Sequence, residues 1–137
     1  MKVVLDTNVL VSALLKQGSI PARIMRACWD GNLQLLISTE LREELAGVLQ
    51  YSKIRKRLLA QHIDGAQFLE LLPFFTTDVM LGKVSVPRPR DADDWIVLAT
   101  LVAGHADWLV SGDRDLLVLS DQFPILSPAS FVERFLT

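Results

Sequence analysis

The chain opens on a short apolar run that ends in a carboxylate. Val3, Val4 and Leu5 lead directly into Asp6, Thr7 and Asn8. An uninterrupted run of this length, closed by a polar cluster, reads as a strand covered on both faces. Strands of that kind belong to parallel sheets, whose connecting helices pack on the sheet. In open sheets of this class, chemistry collects just beyond the carboxyl ends of the strands. A carboxylate placed there has little water around it, so it needs a partner charge, hydrogen bonds or a metal ion.

The bulk of the chain is consistent with such a sheet. Its 137 residues suit one domain with one core, spanning 1–137, and half of them are apolar, ample for burial. No apolar run reaches the ~18 residues of a membrane helix. The first residues lack a basic, apolar, small-residue leader pattern, so a soluble cytoplasmic protein is expected. Cys28 is the only cysteine, which excludes an intrachain disulfide and a cysteine-built zinc site. It lies in an amphipathic stretch and reads as a small core residue. The net charge of −2 is not the basic footprint of a protein that grips duplex DNA by charge alone. A nuclease remains compatible with it, because an acidic metal site lowers the total while local basic patches persist.

Strand signals fall at residues 2–6, 35–37, 74–79, 108–110 and 124–126. Helical patterns fall at 9–15, 20–29, 39–49, 53–59, 64–72, 91–103 and 128–136, with a short helix or turn at 116–119. Asp6 or Asn8 can cap the first helix, Pro21 suits the first turn of the second, and Ser38 or Thr39 caps the third. Residues 82–90 read as a loop. Strands alternating with helices predict an α/β fold, a parallel sheet flanked by helices on both faces.

Further acids recur at the equivalent places. In the helix at 39–49, Leu41, Leu45 and Val48 form the apolar stripe, and Glu44 sits on its flank while Glu43 faces nearly opposite. At 91–94, Asp91 fits an N-cap, and Asp94 shares a face with Leu98, Leu101 and His105, the side to be buried. Asp93 lies off that face. Finally, Trp108, Leu109 and Val110 run into Ser111, Gly112, Asp113, Arg114 and Asp115. Asp113 lies just past the strand, as Asp6 does. Asp115 either caps the next short helix or stands as an outer acid. On one rim such like charges repel, and a divalent cation reverses the sign of that interaction. Carboxylate-only ligation selects hard ions, Mg²⁺ or Mn²⁺, one or two of them. Thr7, Asn8 and Ser111 are placed to hold the carboxylates by hydrogen bonds.

In this combination the residues resemble a PIN domain. The matching pieces are Val4 to Asn8, Ser38 to Leu45, Asp91 to Asp94, and Ala106 to Leu116, in that order and across nearly the whole chain. The resemblance implies a Mg²⁺- or Mn²⁺-dependent ribonuclease with a parallel sheet in the order 3-2-1-4-5. It carries the family's acidic quartet onto Asp6, Glu44, Asp94 and Asp113, with Asp115 as a fifth acid and Asp93 as the alternative to Asp94. It also points to the toxin half of a toxin–antitoxin pair of the VapC type, inhibited by a small antitoxin protein and able to form homodimers. The Gly112 to Asp115 turn departs from the basic-Asn turn of one toxin subgroup.

Lys53, Arg55, Lys56 and Arg57 lie within five residues and are candidate contacts for RNA phosphates, extended by Arg42, Arg88 and Arg90. At helical spacing they splay around several faces, so a solvated segment is the competing reading. Trp29, Trp95 and Trp108 sit in apolar contexts and read as core. His62 and His105 have no metal-ligand spacing. No serine has a placed His–Asp pair, and no glycine-rich phosphate loop is present. A receiver-like signalling module would need a lysine late in the chain, and none follows Lys83. A catalytically silent fold that only binds RNA or a partner is the remaining alternative.

Overall fold

The computed structural model describes residues 1–87 and 92–137. Arg88 and Arg90, and the expected cap Asp91, lie outside the described residues. The order is β1 (Lys2–Leu5), α1 (Thr7–Leu15), α2 (Ile20–Trp29), β2 (Gln34–Ser38), α3 (Thr39–Leu49), α4 (Ser52–Ala60) and α5 (Gly65–Leu71). A 3₁₀ turn at Leu72–Phe74 leads to β3 (Thr76–Val79), α6 (Ala92–Ala103), β4 (Trp108–Val110), α7 (Arg114–Leu117), β5 (Ile125–Leu126) and α8 (Pro128–Phe135).

The five strands form one parallel sheet in the order β3-β2-β1-β4-β5. Val3 pairs with Leu35 on one side and Trp108 on the other, which makes β1 the central strand. Successive strand residues point to opposite faces. Val3, Val4 and Leu5 are each 0% exposed, so both faces of β1 are covered. The resemblance's strand order and the doubly covered sheet are both present.

Local chemistry starts the helices where the sequence places them. Ser19, Ser38 and Ser127 accept N–H bonds from Ala22, Leu41 and Ser130, each at 3.2 Å, and so cap α2, α3 and α8. Helix α1 begins at Thr7, two residues before the expected start. Asp6 is its N-cap residue by backbone position, yet its carboxylate makes no capping bond. Helix α7 likewise starts at Arg114, inside the expected turn, because Asp113 Oδ1 accepts the Asp115 N–H at 2.9 Å.

Other expectations are corrected. His105 is not on the buried face of α6. It is exposed, beyond the last turn, in the left-handed conformation (φ 49°). There the Ala106 N–H donates to Leu101 O and the His105 N–H to Val102 O, closing the helix. His62 ends α4 in the same way (φ 60°). Trp29 is not core: it is 51% exposed and meets Phe75 edge-on at 5.1 Å. Trp95 and Trp108 are half-buried, with the Arg134 guanidinium 4.9 Å from the Trp108 ring centre. No helix among the described residues is long and apolar enough to cross a membrane.

Gly104, just past α6, fixes how closely that helix meets the sheet. A Cβ there would lie 2.7 Å from Leu36 Cδ1, 3.0 Å from Val79 Cγ2 and 3.1 Å from the Thr100 carbonyl oxygen. Gly104→Ala should therefore lower stability by about 1–3 kcal/mol through overpacking. Denaturant unfolding checks this, and a variant as stable as the wild type would contradict the close approach. Cys28 is 2% exposed, and burial pushes its thiol up to about 12. The nucleophile is the thiolate, so at pH 8 a disulfide reagent should modify Cys28 only as fast as the chain opens. Rapid modification of the folded protein would contradict this burial.

Candidate metal centre

The parallel sheet sends β1 and β4 out side by side, and their carboxyl ends carry the first two acids. Asp6 follows β1, is 6% exposed, and donates its N–H to Val110 O on β4 at 3.0 Å. Its carbonyl accepts the Val9 and Leu10 N–H groups and starts α1. Its carboxylate turns away from the helix, and Oδ2 accepts the Ser111 hydroxyl at 2.7 Å. Ser111 is fully buried, and its Oγ also accepts the Asp113 N–H at 3.0 Å. A single hydroxyl thus ties the acid after β1 to the backbone of the acid after β4.

Asp94 sits near the start of α6 and is 4% exposed. Carboxylate oxygens of Asp94, half-buried Asp113 and exposed Asp115 lie within 4.8 Å of one another. Of the two neighbouring acids, Asp94 belongs to this trio, and Asp93 is exposed. Asp115, expected either as a cap or as an outer acid, has its carboxylate within the same trio. The short α7 explains this, since capping by Asp113 folds the chain so that Asp115 comes back beside it. Asp6 and half-buried Glu44 stand outside that trio at the same spacing, Asp6 being joined to it through Ser111.

Of the three residues expected to hold carboxylates, only Ser111 does so among the described residues. Asn8 is exposed on the first turn of α1. Thr7 Oγ1 is buried and has no hydrogen-bond partner among the described residues. The donor set of the trio is carboxylate oxygen throughout, without histidine or cysteine. That fits a hard divalent cation, and an orphaned hydroxyl directly after Asp6 leaves a donor for water near such an ion.

The second helix of the rim is placed by a bond that has no signature in the local sequence pattern. Ser38 Oγ and Thr100 Oγ1, on α6, lie 2.8 Å apart, both fully buried. Thr100 donates to Ile96 O at 2.7 Å, so the proton between the two hydroxyls comes from Ser38. Thr100 is the one hydroxyl among the apolar residues Trp95 to Ala103, which is the only sign of it in the sequence.

The expected basic contacts are distributed differently. Arg42 Nη2 lies 2.6 Å from Asp78 Oδ1 on β3, so that guanidinium is engaged with the protein. Lys53, Arg55, Lys56 and Arg57 are exposed on α4. α1 and α3 both begin at the rim, and α4 joins them at their other ends. It follows Leu49 closely, and Gln61 just past it donates to Leu15 O at 2.7 Å. A nine-residue helix such as α1 spans about 14 Å, which is the scale separating the basic helix from the acids.

Comparison with known proteins identifies the family. The "Uncharacterized protein MJ1680" of Methanocaldococcus jannaschii is 26% identical over 147 aligned positions, covering 98% of this chain and 92% of that protein. A family model described as PIN domain matches residues 2–115, a stretch that contains every acid of the site. With most of its length following that pattern, the chain belongs to the PIN domain family.

Proposed function

We propose that this chain is a Mg²⁺- or Mn²⁺-dependent endoribonuclease. PIN domains are as a class metal-dependent nucleases, which gives the coarse activity. The observation that carries the reading is the convergence of Asp94, Asp113 and Asp115 beside Asp6, whose carboxylate shares the Ser111 hydroxyl with the Asp113 amide.

Asp6, Asp94 and Asp113 are the proposed metal ligands, with Asp115 beside them. When bound, the ion supplies acidity to a water and offsets negative charge on the leaving oxygen. The protein's own groups do the rest. Glu44 binds the ion or orients the attacking water and takes its proton. Ser111 keeps the Asp6 carboxylate aimed away from the helix it would otherwise cap. The reaction forms a bond from water oxygen to phosphorus and breaks the bond to the 3′ oxygen, which leaves as a hydroxyl. An RNA strand that continues from the acids toward α4 meets Lys53, Arg55, Lys56 and Arg57.

The narrower role proposed is that of a cytoplasmic toxin held in check by a small antitoxin protein, with a homodimer as its assembled form. The support is the order and spacing of the four motif pieces. A non-toxin PIN nuclease of RNA processing would share the same acids. Induced expression separates the two, since a toxin arrests growth and the arrest is relieved by a co-expressed small partner.

Asp6→Asn should reduce RNA cleavage by about 100-fold or more while the circular dichroism spectrum stays that of the folded chain. Full cleavage by a folded Asp6→Asn variant would overturn the assignment, as would equal degradation with Mn²⁺ and with chelator. Replacing Lys53, Arg55, Lys56 and Arg57 by Gln should weaken RNA binding and flatten its salt dependence. The slope should fall by about 0.7 for each phosphate that the variant no longer neutralises. An unchanged slope would remove α4 from the RNA path.

A further inference from the structure

We infer that the buried Ser38–Thr100 hydroxyl pair is a positioning device for the acidic site, setting where α3 presents Glu44 and where α6 presents Asp94. The inference rests on the metal-site reading above and assigns it two further residues.

The bond joins the two helices that carry those acids. Ser38 ends β2 and caps α3, its Oγ accepting the Leu41 N–H at 3.2 Å. Its proton goes to Thr100 Oγ1 at 2.8 Å, and the Thr100 proton goes to Ile96 O at 2.7 Å. Each hydroxyl thus both donates and accepts, and both side chains are 0% exposed. A chain of hydroxyls in such a place is fully satisfied or costly, so it fixes one arrangement. Glu44 lies six residues beyond Ser38, and Asp94 six residues before Thr100. The junction is therefore about 9 Å of helix from each acid.

A second contact sets how far α6 stands from the sheet. The backbone at Gly104, four residues past Thr100, meets Leu36 and Val79 so closely that a Cβ would lie 2.7 Å and 3.0 Å from their side chains. Leu36 is on β2, the strand that ends in Ser38. Helix α6 is thus held to β2 and its capping residue at two points, one apolar and one hydrogen-bonded. The apolar contact sets the distance of α6 from the sheet. The directional hydroxyl bond sets its position along the axis, and with it the position of Asp94.

Thr100→Val keeps the shape of the side chain but leaves the Ser38 proton without its acceptor. The experiment is titration of the full chain with Mn²⁺ by calorimetry, alongside thermal unfolding. Thr100→Val should bind Mn²⁺ about 10-fold more weakly, the scale typical of groups that orient ligands. Thr100→Ser, which keeps the hydroxyl, should restore the affinity. Ser19→Ala removes the cap of α2, beyond the end of α1 that is far from the acids, and serves as the stability control. It should lower the unfolding temperature without changing Mn²⁺ affinity. Wild-type affinity in Thr100→Val, no rescue by Thr100→Ser, or equal weakening in Ser19→Ala would overturn the inference. A wild-type chain that binds Mn²⁺ but cleaves no RNA would sink the nuclease reading and leave the positioning role standing. A chain that takes up no Mn²⁺ would overturn both.

Discussion

A central strand covered on both faces leaves a carboxylate at its end with nowhere to go but the sheet's rim. Val3, Val4 and Leu5 cannot shift without exposing apolar surface, because a one-residue slip moves every side chain to the opposite face. Asp6 is thereby fixed beside the end of β4, within reach of Ser111. The parallel pairing of Leu5 with Val110 does the same for the turn after β4. Placement of the acids is therefore a consequence of core packing, with the loops adding only the last few ångströms.

The same geometry makes the site electrostatically demanding. Two of its acids, Asp6 and Asp94, are almost fully buried, and three carboxylates crowd within 4.8 Å. Hydrogen bonds relieve part of this. Ser111 serves Asp6, and the Asp115 amide serves Asp113. A divalent ion is the natural complement to the remainder, since it turns mutual repulsion into shared attraction. The proposed nuclease chemistry rests on that complement, because an ion held there would also make water reactive toward a phosphodiester.

What the sequence revealed was local, and what it concealed was distant. The apolar run before Asp6, the proline in the first turn of α2, the serine that caps α3, and the strand leading to Asp113 each declare themselves within a few residues. Periodicity put Asp94 on the face of Leu98 and Leu101 and left Asp93 as the alternative; Asp94 is buried and Asp93 exposed. How close Asp115 comes to Asp94 and Asp113 was not readable, since it depends on α7 starting one residue after Asp113. The bonds from Ser38 to Thr100 and from Arg42 to Asp78 join residues 62 and 36 positions apart, and no pattern in the chain pairs them. His105 misled because helical periodicity was carried past the point where the backbone turns left-handed. Trp29 misled because its apolar neighbours belong to a face that the fold leaves half open.

Diffraction from crystals soaked in Mn²⁺, recorded where manganese scatters anomalously, is the most direct trial of a shared cation. The carboxylates of Asp94 and Asp113 should bracket a single strong peak at about 2.0–2.3 Å, near the oxygen distances of hard divalent ions. An empty rim at saturating Mn²⁺, or a peak bound by other residues, would contradict it.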